Sequence, residues 1–356
     1  MNIHRYQRQI SLSEFGPRAQ QKLAEASVLV VGVGGLGIPV LQYLNAMGVG
    51  TLGLVEQDVI ELTNLQRQVL YEEGDVGKPK ISVALERLKA QNSDTHFKSY
   101  DTFLTKDNAL AIIADFDIVV DASDNFATRY LVNDACVILK KPFVYGALHG
   151  FEGQVSVFNY QGGPTYRCLF PKMPLPSEVP NCNENGVLGV LPGIVGNLQA
   201  LEVIKVITGV GEVLSGKLLL FNGLNQSYQK IVFKLRPENL NFLQLQNSYG
   251  AEGCSLDGTI DVMQLQELLQ SNKNLQLIDV RTKQEFNDHS LPKAKNIPLD
   301  ELAQSLPQID LTQPTYLICQ SGKRSEIALK LLQDVYPKSR FYHILGGMNR
   351  FLATCS

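Results

Sequence analysis

The sequence lacks a dominant charge: 32 lysines and arginines face 35 aspartates and glutamates, a net charge of −3, with no polybasic tail. Nothing general therefore draws it to nucleic acid or to an anionic membrane surface. It also lacks a cysteine framework. Cys136, Cys168, Cys182, Cys254, Cys319 and Cys355 are scattered, as expected of a protein in a reducing cytoplasm, where each must be judged as core, ligand or nucleophile. No apolar segment of signal-peptide length follows Met1, where His4, Arg5 and Arg8 stand among polar residues, so export is not expected. A long uninterrupted apolar run is missing too. The most apolar stretch, residues 186–210, contains Pro192, Asn197, Gln199, Glu202 and Lys205, which predicts a buried helix and no membrane span. No internal repeat relates one half of the chain to the other.

What is present reads as two α/β units. A chain of 356 residues exceeds one ordinary core, and 44% hydrophobic with 19% charged residues is a globular composition. Residues 27–31 form a β-branched run, followed by glycines, a helical pattern over 38–47 and a second strand over 51–55, which together make a βαβ unit. Strand-like runs at 118–120, 143–146 and 154–158 alternate with helical stretches at 80–90 and 128–139, the rhythm of a doubly wound sheet. A loop rich in Pro, Asn and Gly then runs to Asn185, long enough for a functional crossover. Periodicity fades over 236–258. The reading is a first domain over 1–247, a linker over 248–257 and a second domain over 258–356, with helices at 262–270 and 325–335 and strands at 275–280, 315–319 and 341–345.

Gly32-Val33-Gly34-Gly35-Leu36-Gly37 leaves the first strand and opens a helix, so backbone N–H groups at the helix start can approach phosphate oxygens. Glu56, ending the next strand, is placed for ribose hydroxyls. A nicotinamide-dependent dehydrogenase explains the same residues, and so does a plain tight turn. The polar set that follows separates these readings. Asn64 and Arg67, three apart, share one face of a helical turn and are suited to grip a triphosphate. Lys80 begins a helix, where it adds a point charge, and Asp124, just past a strand, is a natural Mg²⁺ ligand. Hydride transfer needs no such clamp.

With Arg5-Tyr6-Gln7-Arg8-Gln9-Ile10, the Gly32–Gly37 turn, Asn64-Leu65-Gln66-Arg67-Gln68, the Gly77–Lys80 segment and Asp124-Asn125, the chain resembles the E1-like adenylating enzymes of molybdopterin and thiamine synthesis, relatives of ubiquitin-activating enzymes. The resemblance runs from Arg5 to about Lys234. It implies a Rossmann-like adenylation domain and a homodimer in which Arg8 reaches the neighbouring subunit's ATP. It also implies phosphate binding by Arg67 and Lys80, Mg²⁺ at Asp124, and nucleotide contacts from Gly32, Gly34, Gly35, Gly37, Glu56, Asn125 and the run Thr63, Asn64, Leu65, Gln66, Arg67 and Gln68. Glu56 stands where relatives more familiarly carry Asp. The implied reaction is ATP-dependent adenylation of the C-terminal Gly-Gly carboxylate of a ubiquitin-like sulfur-carrier protein. Zinc-bearing relatives carry two Cys-x-x-Cys pairs, but here Thr165 precedes Cys168, and Ala251 and Asp257 flank Cys254 at the same spacing. Structural zinc is not expected on that ligand count. Cys182, in the long loop, matches a family cysteine that takes the activated carrier or sulfur. An inert buried thiol is the competing reading. Cys136 reads as core and Cys355 as a thiol at a frayed end.

In the second domain, Leu277-Ile278-Asp279-Val280-Arg281, Glu285-Phe286, residues 289–298, Cys319-Gln320-Ser321-Gly322-Lys323-Arg324 and Gly346-Gly347 resemble a rhodanese domain. Cys319 ends a strand and precedes a helix, so loop N–H groups, the helix dipole, Lys323 and Arg324 favour a thiolate or persulfide anion. Related phosphatase loops are one residue longer, and the short loop favours a single sulfur atom. The chain has no tryptophan, and Phe351 stands near the aromatic common after the Gly-Gly turn. Asp279, His289 and His343 are read as structural, because persulfide chemistry needs anion stabilisation more than a base. The sulfur donor implied is thiosulfate or a cysteine-desulfurase persulfide, and the product a carrier thiocarboxylate. A dehydrogenase and a non-catalytic carrier-binding module remain the alternatives.

Overall fold

The computed structural model describes residues 3–174, 186–241, 244–246, 249, 259–260, 262–270, 275–337 and 339–355. The chain divides into two compact units, Met1–Ala251 and Glu252–Ser356.

The first unit is built on an eight-stranded sheet. Its strands are β1 (Ser27–Val31), β2 (Thr51–Val55), β3 (His96–Tyr100), β4 (Ile118–Asp121), β5 (Phe143–His149), β6 (Glu152–Phe158), β7 (Lys217–Asn222) and β8 (Ser227–Val232). They lie in the order 3-2-1-4-5-6-7-8, parallel from β3 to β5 and antiparallel from β5 to β8. Side chains of a strand point alternately to the two faces. In β1, accordingly, Val28 and Val30 enter one core with Leu23, Ile38, Leu41 and Val203, while Leu29 and Val31 enter the other with Ile113, Val119, Leu131 and Phe143. A strand buried on both sides has to be apolar throughout, which is why 27–31 reads as a continuous run.

Helices cover the two faces: α1 (Ile3–Ile10), α2 (Gly16–Glu25), α3 (Gly37–Ala46), α4 (Lys80–Gln91), α5 (Ala109–Ala114), α6 (Phe126–Ile138), α7 (Tyr166–Leu169) and α8 (Val190–Thr208). Among the described residues α8 is the one helix long and apolar enough to cross a membrane, yet half of its apolar window is buried in the protein, with Leu191, Val195 and Val203 fully enclosed. It crosses α3 at Gly196, where a Cβ would stand 2.5 Å from the Leu36 carbonyl oxygen.

Pro237–Leu240 is a 3-10 turn, and Tyr249, in the segment read from sequence as linker, is buried and donates to Asp134 Oδ2 at 2.9 Å.

The second unit has a five-stranded parallel sheet of β9 (Thr259–Ile260), β10 (Gln276–Asp279), β11 (Ala294–Asn296), β12 (Thr315–Ile318) and β13 (Phe341–Ile344), in the order 11-10-12-13-9. Its helices are α9 (Val262–Gln270), α10 (Lys283–Asp288), α11 (Lys323–Val335) and α12 (Gly347–Cys355). Leu317 and Cys319 face one core, and Ile318 faces the other together with Met348. Phe351 packs on that second core, in the absence of any tryptophan.

Candidate active sites

In an open parallel sheet, ligands sit beyond the carboxyl ends of the strands where the strand order reverses. Here the reversal lies between β1 and β4, and a cavity of about 490 Å³ opens there. That volume is within the usual range for a small-molecule pocket. The glycine turn is tight. Gly32 has φ +98°, and a Cβ on it would stand 2.8 Å from the Ala122 carbonyl oxygen, while a Cβ on Gly37 would stand 1.9 Å from Gly32 O. Gly32 thus lets the ends of β1 and β4 meet, and Gly37 lets α3 start directly on the turn.

Gly32, Gly34 and Gly35 line the cavity, with Glu56, Arg67, Gln68, Lys80, Asp124 and Asn125 around them. Glu56 Oε2 accepts from Val33 N at 2.9 Å, and Oε1 accepts from Gln57 N and Asp58 N at 2.9 Å each. The carboxylate therefore fixes the glycine turn to the end of β2. Lys80 is buried at the first position of α4, and its Nζ pairs with Asp58 Oδ2 at 3.3 Å. Arg67 is half-buried, its Nη1 donating to Thr63 O at 3.0 Å. Asp124 is exposed to the cavity, and Asn125 caps α6 by accepting from Thr128 N at 2.8 Å.

The expected clamp is only partly assembled. Leu62–Asn64 is a 3-10 turn, Asn64 is buried, and its Oδ1 caps that turn by accepting from Glu61 N at 3.2 Å. Thr63, Asn64, Leu65 and Gln66 are outside the cavity lining, and so is Gly37, which serves the turn. Arg8 is exposed on α1 and does not line its own chain's cavity. Cys182 and Cys254 lie outside the described residues.

The cavity continues away from the glycine turn into an aromatic half that sequence reasoning missed, lined by Phe126, Arg129, Tyr145, Gln154, Tyr166 and Phe170. The only sequence signal was a set of polar residues, Arg129, Asn133 and Asp134, in a helix that is otherwise apolar from Tyr130 to Val137. All three are buried. Burial pushes the Tyr145 hydroxyl up to about 12, with Arg129 opposing, and raises Tyr166 further still. Asp58 was missed as well, because nothing in the spacing shows that the turn after β2 folds back to Lys80. A larger, open depression of about 810 Å³ lies at the amino ends of the strands, beside Ala26, Asp117 and Pro142, where the sheet presents no glycine turn or helix start.

Cys168 is buried, and its sulfur accepts from Thr165 N at 3.4 Å, Arg236 N at 3.3 Å and Asn239 Nδ2 at 3.6 Å. Burial raises the thiol, but these donors with the Thr165 hydroxyl outweigh it and hold Cys168 below the ordinary value. Among the described residues no group of three or more His, Cys, Asp or Glu could hold a metal ion. Cys136, on α6, is fully buried in the core.

In the second unit Cys319 is fully buried at the end of β12, and Gly322 N donates to its sulfur at 3.1 Å. Gly322 has φ +91°, which turns the loop so that its N–H points inward. The start of α12 holds the loop from behind, since Met348 N donates to Cys319 O at 2.8 Å and Asn349 N to Gln320 O at 3.0 Å. Gly347 permits this contact, because a Cβ there would meet Cys319 O at 2.2 Å. Ser321 belongs to the same turn, and Lys323 opens α11. Arg324 forms a two-toothed ion pair with Glu285, at 2.8 and 2.6 Å, which holds that carboxylate down to about 2. Asp279 is buried and bound by Arg281, which also donates to His289 O at 2.6 Å and Gln320 Oε1 at 3.0 Å. His343 is buried, and burial lowers its imidazole. These partners hold the loop and leave Cys319 without a base of its own among them.

The ThiF family model matches residues 6–241. The chain belongs to the ThiF family. A rhodanese-like domain follows in this ThiF-family chain, matched over residues 261–354. The adenylyltransferase and sulfurtransferase MOCS3 of Aedes aegypti is 40% identical over 377 residues, which cover 98% of this chain and 86% of that protein. The sulfur carrier protein adenylyltransferase of Thermus thermophilus is 53% identical over 240 residues, 66% of this chain and 89% of that one. Among solved structures, E. coli MccB with MccA-N7isoASN aligns with a TM-score of 0.60 at 25% identity, over 67% of this chain and 73% of that chain. E. coli MccB with ATP aligns with a TM-score of 0.55 at 25% identity, over 62% and 68% respectively.

Proposed function

We propose that the first unit adenylates the C-terminal Gly-Gly carboxylate of a ubiquitin-like sulfur-carrier protein and that the second delivers sulfur to it from a Cys319 persulfide, giving a thiocarboxylate. The observation that carries the reading is the pairing of two sites in one chain. One is a cavity at the β1–β4 reversal with a glycine turn, Arg67, Lys80 and an exposed Asp124; the other is a short cysteine loop whose amide points at the sulfur. The name of the Aedes aegypti relative carries both activities, and that of the Thermus thermophilus relative carries adenylyl transfer to a sulfur carrier protein.

The chemistry follows from the side chains. The carrier carboxylate is already a nucleophile and needs no general base. One of its oxygens bonds to the α-phosphorus of ATP, the bond to the bridging oxygen breaks, and pyrophosphate leaves with the electron pair. No proton moves. The enzyme's share is positioning and charge neutralisation, supplied by N–H groups at the start of α3, by Arg67, and by Lys80 once Asp58 shares it with phosphate. Glu56 and Asn125 border the nucleotide. An Mg²⁺ ion suits the hard oxygen of Asp124 completed by phosphate oxygens, where it would neutralise phosphate charge. Arg8 of a second subunit would complete the anion site in a homodimer.

In the second unit the terminal sulfur of a Cys319 persulfide attacks the acyl carbon and AMP leaves, forming an acyl disulfide. A thiolate, for which Cys182 is the candidate, then attacks the Cys319 sulfur, releasing the thiocarboxylate and leaving a protein disulfide for a cellular dithiol to reduce. The persulfide is loaded from thiosulfate or a desulfurase persulfide.

Incubation with ATP, Mg²⁺, thiosulfate and candidate Gly-Gly carriers, followed by mass spectrometry of the carrier, tests the whole sequence. The expected mass gain is that of oxygen replaced by sulfur. A nicotinamide-dependent reading requires NAD binding and no carrier-dependent pyrophosphate exchange, and a pure binding module requires carrier binding without ATP turnover.

A further inference from the structure

A closed zinc centre takes four ligands in a tetrahedron, and two Cys-x-x-Cys pairs supply them from two turns that face each other. Zinc-bearing relatives carry such pairs, and the first unit has two turns of that spacing. Residues 165–168 close through Cys168 N donating to Thr165 O at 3.0 Å, and residues 236–239 close through Asn239 N donating to Arg236 O at 3.0 Å. The two turns meet at one atom, the Cys168 sulfur, although 68 residues separate Cys168 from Arg236. Sequence alone points to the surroundings of Cys254 for a second pair, whereas the residues that face Cys168 at that spacing are Arg236 and Asn239.

The four corners do not fit zinc. Cys168 is a thiol, but Thr165 offers a hydroxyl, Asn239 an amide, and Arg236 an exposed cationic side chain. One thiolate beside a guanidinium is not a donor set for Zn²⁺. What fills the space between the turns is hydrogen bonding to sulfur. Arg236 N donates to Cys168 Sγ at 3.3 Å, Thr165 N at 3.4 Å and Asn239 Nδ2 at 3.6 Å, and the Thr165 hydroxyl lies 3.4 Å from the same atom. The thiol in turn reaches Arg236 O at 3.9 Å. Each of the three corners without a thiol therefore carries a donor to the one that has it. Thr165 and Cys168 are buried, so water does not compete for these donors. The contact joins distant parts of the unit. Tyr166 of α7 and Phe170 just beyond it stand in the wall of the cavity, and the 236–239 turn is where the chain runs on from β8.

We propose that the Cys168 sulfur does the work of a zinc ion, fastening α7 to the Arg236–Asn239 turn by hydrogen bonds, so that the first unit is held at this point without metal. The inference stands apart from the adenylation reading and survives its failure.

Three measurements on full-length protein test it. Protein purified from zinc-supplemented medium should contain less than about 0.1 zinc per chain by plasma mass spectrometry. Amide hydrogen exchange in peptides spanning 165–170 and 236–240 should be unchanged by a zinc-selective chelator. In Cys168→Ala, which takes the common acceptor from buried donors, exchange in both peptides should speed up by about tenfold or more, with Cys168→Ser in between. The third measurement fills the corners. Thr165→Cys/Arg236→Cys/Asn239→Cys should take up one Co²⁺ per chain with the absorption of a tetrahedral thiolate site, and adding Cys168→Ala should weaken that binding by about tenfold or more. A triple variant that folds only when zinc is supplied supports the proposal, because metal has then taken over the fastening. One that folds neither with zinc nor without it, or that binds no Co²⁺, overturns the assignment of Arg236 and Asn239 as the second pair. Stoichiometric zinc in the wild type, or unchanged exchange in Cys168→Ala, overturns the role of the sulfur.

Discussion

Individual residues divide the two activities cleanly enough to be tested one at a time. Arg67 and Asp124 border the cavity of the first unit, and Cys319 lies in the second. Removing one preorganised charge from a site where phosphate charge is displaced typically slows the step by roughly 10²–10³-fold. We therefore expect Arg67→Ala and Asp124→Ala each to depress carrier-dependent pyrophosphate exchange by about that factor, while thiosulfate-dependent sulfur loading of Cys319, read by mass spectrometry, is unchanged. Normal thiocarboxylation by both variants would remove them from the site. Cys319→Ser should do the reverse, because serine keeps the Gly322 amide contact in kind but cannot form a persulfide. Exchange should persist, and no sulfur should reach the carrier. Not every residue of the site could be read from spacing. Gly32, Gly34, Gly35, Glu56 and Lys80 were legible because each follows from where a strand ends or a helix begins. Asn64 was misjudged because three-residue spacing implies a shared face only in a helix, and this segment is a tight 3-10 turn in which Asn64 caps Glu61. Arg129 was missed as a lining residue because one buried arginine in a helix is ordinarily a structural ion-pair partner.

At the scale of elements, legibility followed burial. The strands over 27–31 and 51–55 are covered on both faces and announce themselves as continuous apolar runs. By contrast β3 and β8 are sheet edges: His96–Tyr100 is polar, and in Ser227–Val232 five of six residues are exposed, so no apolar periodicity marked them. Turns are where single atoms decide the fold. Adding a methyl at Gly37 places it 1.9 Å from a backbone oxygen, and at Gly347 2.2 Å from Cys319 O. Neither neighbour is a flexible side chain that can step aside. We expect Gly37→Ala to weaken ATP-analogue binding in calorimetry and to lower the first unit's melting temperature, whereas Gly347→Ala should slow persulfide formation without touching ATP binding. The Arg324–Glu285 pair ties α11 to α10 and adds a pH signature. The Glu285 pKa is lowered from the ordinary 4.5 to about 2 in the folded protein, chiefly by Arg324. A depressed carboxylate contributes stability that is fully present above about pH 4.5 and is lost as pH falls towards 2. Glu285→Gln should therefore flatten the acid dependence of the second unit's stability in that window and leave the dependence above pH 5 unaltered. An unchanged acid limb in circular dichroism melts would show the pair to be idle.

For the molecule as a whole, the question is where one unit stops. Composition and fading periodicity put the boundary after residue 247, but burial moves it. Tyr249 packs in the core that contains Tyr130 and Tyr166, and its hydroxyl bonds Asp134, the same carboxylate that Arg167 binds at 2.7 and 2.8 Å. The stretch looked like linker because a single aromatic anchoring an Asn- and Gln-rich segment carries no period. Among the described residues each unit has hydrophobic clusters of its own, and none of them draws residues from both. Two consequences follow. A fragment ending at Ala251 should fold and retain carrier-dependent pyrophosphate exchange, and the fragment beginning at Glu252 should retain thiosulfate-dependent loading of Cys319. A fragment ending at Gln246 should be the weaker one. It leaves a cavity where the Tyr249 ring was and strips Asp134 of a buried donor, and losing a buried aromatic side chain costs about 3–5 kcal/mol. Its melting temperature should fall well below that of the fragment ending at Ala251. Equal melting temperatures would mean that Tyr249 contributes nothing and that the boundary belongs where the composition puts it. Mixed in one tube, the two longer fragments should still make thiocarboxylate, but at a rate that rises with their concentration. Joining the sites in one chain replaces an encounter between two proteins with an intramolecular step, which keeps the interval short between forming the acyl adenylate and attacking it with sulfur.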